Sequence, residues 1–128
     1  YKINAPIAAE QFSQVFRASG IRRPVDDLPR LQKMLDHADL LITAWDGEQV
    51  VGVARSITDF SYCCYLSDLA VDKSHQSQGI GKELVRQTQR QLSEEVALIL
   101  LSAPTVMEFY PHIGFQKIEN GFIIPKIQ

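Results

Sequence analysis

The sequence predicts a mixed α/β fold of the α+β class, in which helices pack on one sheet. Apolar runs rich in β-branched residues alternate with segments whose apolar residues recur every three or four positions. Two dipeptides typical of tight hairpins, Asp46-Gly47 and Asn120-Gly121, lie between such apolar runs. The predicted order is β-α-α-β-β-β-α-β-α-β-β, with about seven strands and about four helices in one domain covering residues 1–128.

The first half of the chain contributes a short strand, two helices and a hairpin. Phe12, Val15 and Phe16 share one helix face, and Gly20 is a typical residue for a helix end. A basic connection that contains Arg22 and Arg23 separates this helix from the next one. The elements predicted here are a strand at 1–4, helices at 6–19 and 24–38, and strands at 40–45 and 49–58.

The second half begins with a strand at 62–71, which leads through a glycine-containing turn into a helix ending near residue 93. Residues 96–101 are almost wholly apolar, which is typical of a strand buried on both faces. A short helix at about 105–112 follows. A hairpin with strands at 115–119 and 122–126 completes the predicted order.

The most informative stretch is residues 66–82, where an apolar strand meets a Gln-x-x-Gly-x-Gly turn and then a helix. A helix N-terminus offers free N–H groups, and its dipole favours negative charge. Gly79 and Gly81 allow a phosphate to approach the main chain, which a side chain would obstruct. A tight turn without any ligand is the alternative. The stretch therefore predicts a site for a phosphorylated ligand.

Two better-known phosphate motifs do not fit this turn. A dinucleotide-binding turn has a third glycine where this chain has Leu84. A Walker loop closes on Gly-Lys-Ser/Thr, whereas Gly81 and Lys82 are followed here by Glu83. The phosphorylated ligand is therefore expected to bind in another way.

Charge and composition narrow the classes of partner. The formal net charge is −2, so no general basic field indicates nucleic acid. The sequence has no apolar run long enough to span a membrane and no signal-peptide pattern. Cys63 and Cys64 are adjacent, would point to opposite faces of a strand, and lack the spacing of a metal or redox motif. We expect reduced cysteines, no metal, no contact with nucleic acid or membrane, and a cytoplasmic location.

Two motifs together resemble the GNAT superfamily of N-acetyltransferases, which use acetyl-coenzyme A. One is a strand ending in Val, then Gln, two residues and Gly-x-Gly; the other, further along the chain, is Phe-Tyr followed by Gly-Phe. They stand at Leu69-Ala70-Val71 with Gln76-Ser77-Gln78-Gly79-Ile80-Gly81, and at Phe109-Tyr110 with Gly114-Phe115. The resemblance covers the whole chain and implies a mixed, mostly antiparallel sheet. It implies acetyl transfer from acetyl-coenzyme A, as co-substrate, to an amine of a small molecule or peptide, and leaves a homodimer open.

The resemblance also implies roles for individual residues. Tyr110 would protonate the departing thiol, and Asp68 is the best-placed carboxylate to receive the proton of the amine. The pantetheine arm would pair with the backbone of the strand, and the pyrophosphate would lie on the turn. The expected cofactor-binding residues are Leu69, Ala70, Val71, Gln76, Ser77, Gln78, Gly79, Ile80, Gly81, Lys82 and Ser102.

Several alternatives stay open at this stage. Asp68 could instead pair with a neighbouring base. Tyr65 and Ser67 are expected on the opposite face of that strand. If that face is the active one, it carries no carboxylate, and a water chain would take the proton of the amine. Arg22 and Arg23 hint at an acidic or carboxylate-bearing acceptor. The alternative function is a non-catalytic, regulatory module that binds coenzyme A.

Overall fold

A computed structural model describes residues 1–127, and one five-stranded sheet organises them. The strands lie in chain order, each beside the next. The first four are antiparallel to their neighbours, and the last is parallel to the fourth. They are β1 (Lys2–Ile3), β2 (Leu40–Asp46), β3 (Gln49–Thr58), β4 (Cys63–Val71) and β5 (Ala97–Ile99).

The described residues also form four α-helices, and local residues explain the end of the first helix and the start of the second. Gly20 ends the first helix in the left-handed conformation, at φ 78°. The Asp27 side chain caps the second helix by accepting a hydrogen bond from the backbone N–H of Arg30 at 3.1 Å. The helices are α1 (Ala9–Ser19), α2 (Leu28–Asp36), α3 (Ile80–Arg90) and α4 (Phe109–His112), with 3₁₀ turns at Lys73–His75 and Pro104–Val106. No helix within residues 1–127 is long and apolar enough to cross a membrane.

Successive side chains along each strand point to opposite faces of the sheet, so the core has two layers. One layer packs α1 and α2 on the sheet through buried residues that include Phe12, Phe16 and Leu31. The other packs α3 on the opposite face through Leu84 and Val85. Strand residues from β2 and β3 alternate between these layers: Leu41, Val50 and Val53 belong to the first, and Leu40, Ile42, Val51 and Ala54 to the second.

The fourth and fifth strands separate soon after they meet. Their pairing begins at Cys63 with Ala97 and ends at Tyr65 with Ile99. Beyond that pair, residues 66–71 of β4 pair with β3 on one side only. A backbone strip at the middle of the molecule is therefore open to pairing from the other side.

A second irregularity lies on the paired side of the same strip. The register between β3 and β4 shifts between Arg55 and Ser56, so that Arg55 opposes Asp68 while Ser56 opposes Leu66. Ser67 is thus the extra residue of a β-bulge. The bulge lies directly beyond the point where β4 loses β5.

The predicted fold class is confirmed, but the strand count is not. The described residues form five strands rather than seven, because the segments at 115–119 and 122–126 pair neither with each other nor with the sheet. An isolated two-stranded hairpin is only marginally stable in water. Strand propensity alone does not form a strand, since its backbone needs a pairing partner. In this segment Phe122 is fully exposed and Ile124 is 97% exposed.

The expectation for residues 96–101 was also wrong in two respects. Only Ala97–Ile99 form a strand, and neither face is deeply buried. Ile99 is 41% exposed and Leu101 is 65% exposed, since no strand lies outside β5 within the described residues. The two cysteines behave as expected: both are free, Cys63 is exposed and Cys64 is buried.

Candidate active site

The glycine turn lies between the end of β4 and the start of α3. Ser77 and Gly79 both have left-handed backbone conformations, at φ 66° and 81°, and Gly79 is the residue that precedes the first turn of α3. Gln76, Ser77, Gln78 and Gly79 are exposed. A Cβ at Gly79 would meet no atom within 4 Å, so the space in front of the turn is open. The N–H groups of the first helical turn therefore face an accessible surface.

Side chains hold this turn against the sheet. Gln76 donates its Nε2–H to the carbonyl oxygen of Val71 at 3.0 Å, which closes the loop between strand and helix. The His75 ring contacts Asp46 in the β2–β3 hairpin, with 2.9 Å between Nε2 and Oδ2. Ser74 donates hydrogen bonds to Asp72 from its hydroxyl and its backbone N–H, which lower the pKa of Asp72. The turn is thus positioned before any ligand arrives.

The first turn of α3 also holds an acidic side chain. Gln87 and Arg86 donate hydrogen bonds to Glu83, and these bonds lower the pKa of its carboxyl. Arg86 is therefore engaged within the helix. Lys82, by contrast, is exposed beside the turn.

Phe109 brings the short helix α4 next to the start of α3. A Cβ at Gly81 would lie 3.2 Å from Cζ of Phe109 and 3.9 Å from a methyl group of Val71. Glycine at this position therefore makes room for the aromatic ring. Phe109 is 38% exposed, because it covers the N-terminal end of α3 at the surface.

Tyr110 follows Phe109 and packs between two rings. Its ring centroid lies 5.2 Å from that of Phe109 and 5.6 Å from that of Phe115, both in edge-on geometry. Burial raises the pKa of Tyr110, while the positive charge of Arg23 acts in the opposite direction. Within residues 1–127 its hydroxyl has no hydrogen-bond partner. The phenol is therefore held protonated through neutral pH with its hydroxyl unengaged.

Asp68 is fully buried and lies between two arginines. Arg23 Nε is 2.5 Å from Oδ1, and Arg55 Nε donates to Oδ2. Both carboxylate oxygens therefore accept a charge-assisted hydrogen bond. This is the ion-pair arrangement that the sequence left open as an alternative to a base.

Ser67 joins the same cluster instead of facing away from it. Arg55 donates from Nη2 to the Ser67 hydroxyl at 3.1 Å, and Arg23 donates from Nη2 to the Ser67 carbonyl oxygen at 2.8 Å. We expected Ser67 on the face opposite to Asp68. The β-bulge breaks the alternation of side chains and brings both residues to one guanidinium.

The remaining predicted cofactor residues fall into two groups. Ala70 is buried under α1 and α2, whereas Leu69, Val71 and Ile80 are half-buried against α3. Ser102 lies beyond β5 and donates its hydroxyl to the carbonyl oxygen of Ala103 at 2.8 Å. Within residues 1–127 no group of three or more His, Cys, Asp or Glu side chains is placed to hold a metal ion.

Arg55 is the residue that sequence reasoning missed. It is 7% exposed and stands in an otherwise apolar strand, where a charged side chain needs a partner. This charged residue within an apolar strand was the sequence signal that could have identified a buried ion pair. Its partner could not be read from the sequence, because the bulge decides which residue of β4 faces it.

Comparisons with known proteins agree with this architecture. The family model described as an acetyltransferase (GNAT) domain matches residues 12–124. A probable acetyltransferase of Staphylococcus aureus has a similar fold, with a TM-score of 0.82 over 98% of each chain at 22% identity. An aminoglycoside N-acetyltransferase solved in complex with CoA reaches a TM-score of 0.68 at 19% identity, over 94% of this chain and 89% of its own.

Curated relatives are similar over shorter stretches. GCN5-related N-acetyltransferase 1, chloroplastic, from Arabidopsis thaliana is 30% identical over 118 residues, which are 88% of this chain and 58% of the relative. An uncharacterized N-acetyltransferase, ycf52, from Gracilaria tenuistipitata var. liui is 38% identical over 74 residues, or 56% of this chain and 41% of the relative. The chain thus spans about half the length of these relatives. With the family model matching most of its residues, the chain belongs to the GNAT acetyltransferase family.

Proposed function

We propose that this protein transfers an acetyl group from acetyl-coenzyme A to an amine of a small molecule or peptide, by direct attack of the amine within a ternary complex. One observation carries the proposal. The open strip of β4 at 66–71 leads into the exposed glycine turn. Tyr110 packs on Phe109, which covers the start of α3, and the charge of Arg23 at the bulge reaches it. GNAT acetyltransferases use acetyl-coenzyme A as a co-substrate. In this arrangement the turn would bind its pyrophosphate, the strip of β4 its pantetheine arm, and Tyr110 would act at its thioester.

The glycine turn fits the pyrophosphate end of the co-substrate. The open space in front of Gly79 and the first N–H groups of α3 suit a close approach by anionic oxygens. Lys82 is exposed beside the turn and supplies positive charge. We assign the main-chain contacts to the turn residues Gln76, Ser77, Gln78, Gly79, Ile80, Gly81 and Lys82.

The open strip of β4 fits the pantetheine arm. That arm carries amide groups, which pair with an unpaired strand edge as another strand would. Leu69, Ala70 and Val71 would supply this edge. A backbone N–H of the same strip would polarise the thioester carbonyl, because a donor aimed at the developing oxyanion stabilises it. Ser102 lies past the end of β5, on the far side of the same opening.

Tyr110 is the proposed general acid. The amine nitrogen attacks the carbonyl carbon, the carbon–sulfur bond breaks, and the sulfur accepts the Tyr110 proton while solvent returns one to the phenolate. Burial raises the pKa of Tyr110 above the ordinary value of 10.0, so the proton is present at neutral pH. Activity that depends on it should fall only when the pH rises through that raised pKa.

The base is harder to assign to Asp68 than the sequence suggested. Both of its oxygens accept hydrogen bonds from guanidinium groups, and neither is exposed. We therefore propose that Asp68 positions Arg23 and Arg55, and that water takes the proton of the amine. The same observation favours a second candidate, a non-catalytic module that binds coenzyme A, which would release no thiol with any amine.

Replacing Gly79 by Ala tests the turn. Gly79 and Gly47 both have positive φ with no atom near a Cβ, so each change to Ala should cost about 1–2 kcal/mol of folding free energy. Acetyl-coenzyme A at a hundredfold excess over its Kd should stabilise the unchanged protein by about 2.7 kcal/mol. We expect Gly79→Ala to lose most of this ligand-induced stabilisation in thermal unfolding, and Gly47→Ala to keep it. Equal stabilisation of the two variants would remove the turn from the site.

Replacing Tyr110 by Phe tests the general acid. Only the hydroxyl is lost, so we expect kcat to fall about a hundredfold while the Kd for acetyl-coenzyme A stays the same. The deficit should shrink with acyl donors whose thiols are more acidic, because they need less protonation. Tyr62→Phe is the control, since Tyr62 is 78% exposed. Full kcat in Tyr110→Phe, where chemistry limits the rate, would assign the proton to another donor.

Replacing Asp68 by Asn separates a positioning role from a basic one. The change leaves two arginines without their carboxylate, so we expect a loss of about 3–5 kcal/mol in denaturant unfolding. Asp26→Asn breaks the exposed pair with Arg17 and should cost at most about 1 kcal/mol. A positioning residue should leave the shape of the pH–rate profile unchanged. A folded Asp68→Asn enzyme whose activity is lost mainly at lower pH would instead identify Asp68 as the base.

A further inference from the structure

The cluster of Arg23, Asp68 and Arg55 has an unbalanced charge. Two guanidinium groups face one carboxylate, which gives the cluster a formal charge of +1. Arg55 is 7% exposed and the Arg23 side chain is 26% exposed. A charge that stays largely out of water with an incomplete set of partners is costly, so an anion that reached it would be strongly attracted.

The cluster also has unused hydrogen-bond donors. A guanidinium carries five N–H groups. Arg23 donates from Nε to Asp68, from Nη1 to the Arg22 carbonyl oxygen and from Nη2 to the Ser67 carbonyl oxygen. Among the described residues, each terminal nitrogen therefore keeps one unused N–H. Arg55 uses Nε and Nη2, and within residues 1–127 its Nη1 has no partner. A guanidinium with an unused N–H on each terminal nitrogen can bind the two oxygens of a carboxylate.

The position of the cluster indicates that an acceptor amine would come close to it. Its hydrogen bonds to Ser67 place it at the bulge of β4, directly past the last pair between β4 and β5. Arg23 comes from the loop between α1 and α2, so the cluster anchors that loop to the bulge of β4. The positive charge of Arg23 also reaches Tyr110, the proposed acid. An amine that approaches the thioester from the side of this loop therefore meets the arginines.

Neighbouring charges do not cancel the excess. Asp26 pairs with Arg17, Asp27 caps α2 and Asp72 accepts from Ser74, so the nearby carboxylates on these elements are engaged elsewhere. Lys73 adds positive charge, because its Nζ lies 2.9 Å from the point where a Cβ of Gly20 would stand, at the start of the loop.

We infer that Arg23 and Arg55, held by Asp68, bind a carboxylate on the acceptor, so that the acceptor is an amine with a carboxylate group rather than a polyamine. The inference rests on the proposed acetyl transfer and specifies its substrate class. Arg23 supplies two N–H groups and Arg55 supplies buried positive charge. Ser67 and Asp68 hold both guanidinium groups at the bulge, next to the open edge of β4.

The test uses ω-amino acids from glycine to aminocaproate, each paired with its carboxamide, and spermidine as the polyamine. Ligand binding to the protein saturated with coenzyme A is measured by calorimetry, and acetyl transfer is followed by thiol release. For the best chain length we expect at least about tenfold higher kcat/KM and affinity for the carboxylate than for its amide, the size expected of a partly buried charge pair. Spermidine should be a poor acceptor.

Arg23→Gln should abolish this preference, because KM should rise more for the carboxylates than for their matched carboxamides. The preference is the ratio of the two measured within the same variant, so a general loss of activity from the unpaired Asp68 cancels. The Kd for coenzyme A is measured alongside. Arg22→Gln is the matched control, because Arg22 is the exposed neighbour. Arg23→Lys keeps the charge but loses the paired N–H groups, and it serves where Arg23→Gln proves unstable in thermal unfolding. We expect Arg23→Lys to keep part of the preference.

The outcomes separate the two proposals. Acetyl transfer to neutral amines with no preference for carboxylates would overturn the anion site and leave the proposed function intact. A preference that survives Arg23→Gln, or that is lost equally in Arg22→Gln, would also overturn it. Binding of carboxylates without turnover of any amine would uphold the anion site and refute the acetyl transfer. Loss of coenzyme A affinity in Arg23→Gln would reassign the arginines to the co-substrate.

Discussion

The contact of Asp68 with Arg23 and Arg55 connects the parts of the molecule that make up the site. Arg55 belongs to β3, Asp68 to β4 and Arg23 to the loop between α1 and α2. One carboxylate therefore holds two strands and a loop at the point where the sheet opens. Because Asp68 is fully buried, its charge is stable only with both partners present. The interaction also fixes the loop, which in turn defines one side of the opening.

The opening itself follows from strand pairing. The pairing of β5 with β4 ends at Ile99, and β4 continues past this residue with one free edge. The bulge at Ser67 lies at the same level and turns its hydroxyl and carbonyl toward the two arginines. A free backbone edge and a positively charged cluster thus arise side by side. Tyr110, on α4, comes to this place because Phe109 packs on the glycine-containing start of α3.

Turns and the adjacent pairing of β2 with β3 at Asp46-Gly47 could be predicted from the sequence, whereas contacts between distant segments could not. The glycine turn was predictable because positive φ and a helix start depend on a few adjacent residues. The cluster around Asp68 was not, since its members lie far apart in sequence and the bulge determines which of them meet. The terminal hairpin was expected from Asn120-Gly121 and the apolar runs beside it. It is absent from the described residues, where these runs pair neither with each other nor with the sheet, and an isolated two-stranded hairpin is only marginally stable in water.

The central claim is that the free edge of β4 receives the pantetheine arm. Amide hydrogen exchange at single-residue resolution, with and without coenzyme A, tests it most directly, because main-chain pairing slows exchange at the amides concerned. We expect slower exchange at the edge-facing amides within 66–71 and in the turn at 76–82, with β1 and β2 unchanged. Bound coenzyme A that protects the turn but leaves residues 66–71 exchanging at their original rates would contradict the account.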